Sequence, residues 1–338
     1  MKIVIIPHFY NIGGAGRYLS DLIIKLKKNN FTVVIDKYND QFASDLSDEK
    51  MQRLSLPNYH GVAILKTFGF AIKLLFSLIT KRNLFSLIEN NTYIFSSSIY
   101  LPSVYFYAKN NEGSRVICLI QENLKVNFFS KIILKNLPKN VHLIAITQSL
   151  CNKLKIYFPS ISCLSNKFVN KDLYMGAKKY DLLYVGGEQK IKGFNLIKRI
   201  TKSGSHNIKC IGFSNNYQTK LFEGYKENII IHYQKAKILF CPITKYHFLR
   251  PAIEAGLVGV PFIITHLDGY TNVYGFDDFI YKGNNCETFK PKDKNSLTIA
   301  VKKILNNYEH YSVNARIVSG AFNKRWDIEI SEFITKIK

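Results

Sequence analysis

Tyr180-Asp181-Leu182-Leu183-Tyr184-Val185-Gly186-Gly187-Glu188-Gln189-Lys190-Ile191-Lys192-Gly193 is the stretch whose reading decides the fold class. A mostly apolar strand candidate, Tyr180–Val185, runs into a glycine pair. A polar loop with two lysines follows, and Phe194–Lys202 then has helical spacing. A strand feeding a helix through a glycine turn is the building unit of a parallel α/β sheet. The same order opens the chain. Lys2–Pro7 is a short apolar run, and His8–Gly16 is loop-like and ends in Gly13-Gly14-Ala15-Gly16. Arg17–Asn29 then carries Leu19, Leu22, Ile23 and Leu26 at helical spacing, and Phe31–Ile35 is a second β-branched run.

Working outward, the first half offers further buried strands at Tyr93–Phe95, Arg115–Ile120 and His142–Ile146, with helical patterns between them. A polar, turn-rich stretch at Ser165–Lys179 separates the second series. There Ile208–Phe213, Ile229–Ile231, Ala236–Cys241 and Phe262–Thr265 are strand candidates. Pro251–Val258 reads as a helix stopped by Gly259 and Pro261, and Leu297–Asn306 and Ile328–Lys338 close the chain as helices. The 338 residues are about twice a single-core length. No repeat of fixed period runs through them. The expected architecture is α/β, two Rossmann-like α/β/α domains facing across a cleft. Ligands of such sheets bind beyond the carboxyl ends of the strands.

Composition narrows the function classes. Hydrophobic residues at 47% and charged residues at 21% exclude a mainly disordered or fibrous chain. A net charge of +23 points to anionic partners: phosphates, nucleic acid or an acidic membrane surface. The six cysteines are scattered without a CxxC pair or Cys/His cluster, which argues for a reducing compartment and against a disulfide framework or zinc site. Pro7 breaks the opening apolar run too early for a signal-peptide core, and the greasiest stretch, Gly61–Thr80, contains Lys66 and Lys73. A cytoplasmic protein is expected.

Three places carry chemistry. Gly13-Gly14-Ala15-Gly16 opens a helix after the first strand, where free N–H groups attract an oxyanion; a turn needed only for tight packing explains it equally well. Lys190 and Lys192 sit beside the second helix start, where an ammonium suits a diphosphate leaving group; the alternative is a solvated basic loop. Glu254 is the single acid on the apolar helix after Cys241-Pro242. Buried, it needs donors, which ribose hydroxyls would supply. Arg250, four residues earlier on the same face, would supply them too.

These motifs, in this order, resemble a GT-B glycosyltransferase of the retaining family 4 group that builds bacterial surface polysaccharides. Val4–Leu26 with Gly13-Gly14 resembles the family's first strand and glycine loop, and Leu183-Tyr184-Val185-Gly186 through Lys192-Gly193 its second. Tyr233-Gln234-Lys235-Ala236, Cys241-Pro242, Ile253-Glu254-Ala255 and Gly259-Val260-Pro261 resemble its C-terminal signature, and Phe322–Trp326 the aromatic element before the last helix. The resemblance implies an acceptor domain at 1–170, a nucleotide-sugar donor domain at 171–322, and a helix at 323–338 returning to the first domain. It implies retaining transfer of a sugar to a glycan or lipid-linked acceptor, in polysaccharide or lipopolysaccharide biosynthesis. Glu254 matches the acid that holds the donor ribose, Lys192 matches the base on the diphosphate, and Gly13 and Gly14 approach the diphosphate or sugar.

Two positions depart from the family pattern. Tyr246 stands where the first acid of its acid pair belongs, and Gly187 where a basic residue follows Val-Gly, leaving Lys190 as substitute. Glu122, beside Gln121 after the strand Arg115–Ile120, is a further active-site candidate. His8, at the end of the first strand, reads as structural. No DxD motif occurs, so no metal is implied, and no cofactor beyond the nucleotide-sugar co-substrate.

Residues 1–165 hold 20 basic and 9 acidic side chains, and Gly61–Arg82 and Val126–Lys139 mix apolar residues with lysines at helical spacing. Peripheral contact with the inner, anionic face of the cytoplasmic membrane is one reading of them, and ordinary amphipathic helices the other. A nucleic-acid-binding protein is the competing class for the charge, without any recognisable nucleic-acid motif to support it. A catalytically impaired GT-B homologue serving as a binding or scaffold subunit is the competing class for the two departures.

Overall fold

The computed structural model describes residues 1–7, 14–35, 49–50, 91–121, 126, 128–168, 177–188, 190–204, 206–212, 222–224, 226, 228–244, 248–266, 279–293 and 295–338. They form two compact units. The first comprises Met1–Ile146, Cys151–Leu164 and Ser331–Lys338, the second Thr147–Leu150 and Ser165–Ile330.

The first unit is built on strands β1 (Lys2–Ile6), β2 (Thr32–Ile35), β3 (Glu49–Lys50), β4 (Thr92–Phe95), β5 (Arg115–Ile120), β6 (Val141–Ala145) and β7 (Ser162–Cys163). They pair in the order β3-β2-β1-β4-β5-β6-β7, every pair parallel. Central strands of a parallel sheet are covered on both faces, which is why Ile3–Ile6 and Val116–Ile120 are continuous apolar runs with almost no exposure. Helix α1 (Gly14–Lys28) buries Leu19, Leu22, Ile23 and Leu26, one stripe at the helical period. Lys25, Lys27 and Lys28 complement the negative end of its dipole. Helices α2 (Leu101–Lys109), α3 (Phe128–Lys135) and α4 (Gln148–Lys155) follow. On α3, Phe128 and Ile132 are exposed and Leu134 is buried. The apolar stretch Gly61–Arg82 lies outside the described residues.

The second unit has strands β8 (Tyr180–Val185), β9 (Ile208–Ile211), β10 (Ala236–Cys241), β11 (Phe262–Thr265) and β12 (Cys286–Phe289), ordered β12-β11-β10-β8-β9 and again parallel. Its helices are α5 (Phe194–Ser203), α6 (Ile229–Gln234), α7 (Arg250–Leu257), α8 (Ser296–Asn306) and most of the 30-residue α9 (Tyr308–Ile337), whose residues from Ser331 on belong to the first unit. Strand alternation sorts the core into two layers. Leu183, Leu239 and Ile264 pack with α6, α7 and Phe322 on one face. Leu182, Tyr184, Ile238 and Phe240 pack with α5, α8 and Tyr311 on the other.

Two expectations from the sequence are corrected, and one strand was not expected. Ile229–Ile231 is not a strand but the start of α6, because Ile229 and Tyr233, one turn apart, both reach the core while Ile231 is left outside. A short β-branched run has no period of its own, and packing chose the helical one. The closing helix begins at Tyr308 instead of Ile328; no proline interrupts it, and its apolar positions form no single stripe. Strand β12 was not foreseen, since it places Glu287 in the interior, where Tyr311 donates to it at 2.6 Å. No described helix is long and apolar enough to cross a membrane.

Candidate functional site

In the second sheet the chain order reverses between β8 and β10, and the loops beyond their carboxyl ends are locked together. Gly186 N–H continues the ladder to the Ile211 carbonyl at 2.9 Å, and the Tyr184 hydroxyl donates to the Gly187 carbonyl at 2.8 Å. A Cβ on Gly186 would stand 2.8 Å from that hydroxyl and 3.1 Å from Cδ of Lys192, so the lysine stem lies directly over the glycine. A 3-10 turn, Lys190–Lys192, leads to Gly193, whose φ of +78° starts α5. Here glycine is required twice over, by the left-handed backbone and because a Cβ would meet the Pro242 carbonyl oxygen at 1.7 Å. From the β10 side, Thr244 N–H donates to the Ile191 carbonyl at 2.9 Å and its hydroxyl to the Lys190 carbonyl at 3.1 Å.

Lys192 is the charged group this cradle holds. It is half-buried, and burial lowers its basicity, with no carboxylate among the described residues acting on it. An ammonium stripped of part of its water without a counter-ion favours an incoming anion. The first turn of α5 contains no acid and Gly193 offers no side-chain cap, so nothing on that helix start competes for the anion. Lys190 is exposed beside it, and Gly187 is committed through its carbonyl to Tyr184.

Glu254 lies on α7, which buries Ala252, Ile253, Ala255 and Leu257 and carries Pro251 in its first turn, where a missing N–H costs nothing. Its carboxylate is not an open acceptor. The Tyr233 hydroxyl on α6 donates to Oε2 at 2.9 Å and Arg250 Nε to Oε1 at 2.8 Å. The Arg250 guanidinium in turn sits 4.8 Å from the centre of the Phe168 ring. Of the two partners the sequence allowed, the structure realises Arg250. A ligand hydroxyl would have to share oxygens that already accept at least one bond each.

Helix α1 begins at Gly14, after the first strand as expected. Gln121 donates through Nε2 to the Ser96 carbonyl at 3.0 Å, bridging the carboxyl ends of β5 and β4. Gly13, Glu122, Tyr246 and His8 lie outside the described residues. The structure therefore brings Gly187, Lys190 and Lys192 into one cradle, and the loop leading on to α7 and Glu254 is latched to it through Thr244. Sequence reasoning missed the roles of Tyr184, Tyr233, Thr244 and Phe168. For the three hydroxyl-bearing residues the available signal was position alone, close to the end of a strand or helix, and for Phe168 there was none.

No family model matches the chain, and no protein of curated function matches it in sequence. Solved structures do match. A sucrose-phosphate synthase from Thermosynechococcus elongatus superposes with TM-score 0.69 at 14% identity, covering 99% of this chain and 98% of that one. A glycosyltransferase from Rickettsia africae also gives 0.69 at 14% identity, covering 99% and 97%. Anabaena HepE, in complex with UDP-glucose, gives 0.67 at 13% identity, covering 99% and 100%. The fold is GT-B. At such identities the GT-B likeness carries the architecture, two parallel-sheet α/β domains over nearly the full chain, while the residues of the cradle must be read for themselves.

Proposed function

We propose that the protein is a retaining, metal-independent glycosyltransferase that moves a sugar from a nucleotide-sugar, by preference a UDP-sugar, to a glycan or lipid-linked acceptor in surface-polysaccharide or lipopolysaccharide synthesis. The observation that carries the proposal is Lys192, a half-buried ammonium without a carboxylate partner among the described residues, held over Gly186 beyond the end of β8. A departing nucleoside diphosphate gains negative charge as the glycosidic bond breaks, and a preorganised cation with a helix start beside it stabilises that charge. Lys190 adds a second, solvated cation. HepE binding UDP-glucose on the same fold supports the choice of donor.

Glu254 enters this reading already engaged: the Arg250 pair and the Tyr233 bond hold its carboxylate still, and the donor ribose shares its oxygens with them. By the sequence resemblance Gly13 and Gly14 are the candidates for the diphosphate or sugar, Tyr246 for a sugar hydroxyl, and Glu122 for a further active-site contact. In a retaining reaction of this type the acceptor hydroxyl attacks the face from which the diphosphate departs, and the diphosphate takes its proton. Peripheral contact with an anionic membrane belongs to the same reading, through α3, where exposed Phe128 and Ile132 stand beside Lys131 and Lys135.

The Arg250–Glu254 pair favours a second reading, in which the chain binds nucleotide without turnover and serves as a scaffold. A thermal-shift screen against UDP-, GDP-, dTDP- and CMP-sugars, followed by a transfer assay with the stabilising donor, separates the two. Stabilisation by a UDP-sugar with transfer supports the enzyme, and stabilisation without transfer supports the scaffold. No stabilisation by any of the four overturns both.

A further inference from the structure

At the amino-terminal edge of the seven-stranded sheet, the edge opposite the glycine turn into α1, lies a cavity of about 670 Å³. Its wall is formed by the starts of β4, β5 and β6, by the loop before β5, and by the last turn of α9. The wall is built with care. Asn140 Nδ2 donates to three carbonyls, those of Ala108 at 3.1 Å, Asn111 at 3.0 Å and Ser114 at 2.9 Å. Arg115 Nη1 donates to the Lys336 carbonyl at 2.5 Å, pinning the helix end to β5.

The cavity is lopsided in charge. Arg115, Lys139, Lys336 and Lys338 line it, with Glu112 as the one acidic side chain among the lining residues, and none of these cations is paired with a carboxylate side chain among the described residues. Ile117, Phe333 and Ile337 are buried behind them and close the floor of the cavity. The His142 ring, in the same wall and bonded to the Ser162 hydroxyl, registers this field: burial first, then Lys336 and Arg115, hold its basicity below the usual imidazole range. Concentrated cations in a cavity of this size match a small molecule with an anionic head.

We propose that this cavity is a second ligand site, for a phosphorylated small molecule, with the phosphate held by Arg115, Lys139 and Lys336. It does not depend on the cradle at Lys192 being a nucleotide-sugar site. The test uses AMP as probe on the full chain, by calorimetry and by NMR of the His142 ring. In a Lys192→Ala background AMP still binds and moves the His142 resonances. Adding Lys139→Glu and Lys336→Glu weakens that binding by about tenfold or more and leaves the resonances unmoved. Both replaced side chains are exposed, and the Arg115 bond is to the Lys336 backbone, so the fold persists, as a thermal melt checks. Binding lost with Lys192→Ala alone, or untouched by the charge reversals, or occurring without a response from His142, overturns the proposal.

Discussion

Arg250 and Glu254 stand one turn apart at the start of α7, Nε 2.8 Å from Oε1, with the two side chains only 12% and 10% exposed. Tyr233 holds the other oxygen from α6 at 2.9 Å. The acid is thus held through both oxygens before any ligand arrives, and its functional weight can be measured apart from its structural weight.

The structural weight comes first. Replacing Arg250 with Met leaves a shielded carboxylate without its cation, and the expected loss of stability is about 3 kcal/mol by urea denaturation. Arg250→Met combined with Glu254→Gln should recover most of it, because no charge is then left stranded. Single and double variants of equal stability would mean the pair contributes nothing.

Nucleotide affinity reads the functional weight. Glu254→Ala should weaken UDP binding by roughly 1.5–3 kcal/mol, the range for hydrogen bonds to a charged group. Calorimetry that finds UDP affinity unchanged would remove the ribose role and leave the acid to Arg250.

Lys192 makes a pH prediction. Burial lowers its folded-state basicity, so the ammonium needed by the leaving group is lost at a lower pH than for a solvated lysine. The transfer rate should fall on the alkaline side as pH rises through that lowered value, still below the usual lysine range. Lys192→Arg, which stays charged, should abolish this alkaline limb, and Lys192→Met should slow transfer more than it weakens donor binding. A pH–rate profile identical in wild type and Lys192→Arg would contradict the assignment. The stability sign follows from the same shift: a buried lysine of depressed basicity opposes folding at neutral pH and less so as pH rises toward its unfolded value.

Two glycines separate strain from collision. Gly193 and Gly204 flank α5 with φ of +78° and +64°, yet a Cβ on Gly204 meets nothing within 4 Å while one on Gly193 meets the Pro242 oxygen at 1.7 Å. Gly204→Ala should cost about 1–2 kcal/mol, the left-handed penalty alone. Gly193→Ala should cost clearly more and also loosen the loop carrying Lys192. Thermal melts of equal depression would refute the close approach.

Much of the fold was legible because a parallel sheet writes its strands as unbroken apolar runs: Arg115–Ile120, Tyr180–Val185, Ala236–Cys241 and Phe262–Thr265 have the ends that the sequence suggested. Where a strand or helix departs from that style, the reading failed. Ile229–Ile231 was too short to show a period, and β12 hides a buried Glu287 whose partner, Tyr311, lies 24 residues away. Helix α9 touches different neighbours along its length, so no one stripe of apolar residues announces it.

From the sequence alone came the alternation of strand and helix, the two sheets it builds, the glycine turns at the strand ends, and the lysines and lone acid set beside them. All of these are local matters of period, backbone freedom and charge. Tertiary structure alone decided that Lys192 loses part of its water over Gly186 and that Glu254 is held by Tyr233 as well as by Arg250. Dehydration and the choice of partner depend on which elements pack side by side, and residues 21 positions apart acquire that relation only when α6 and α7 share a core.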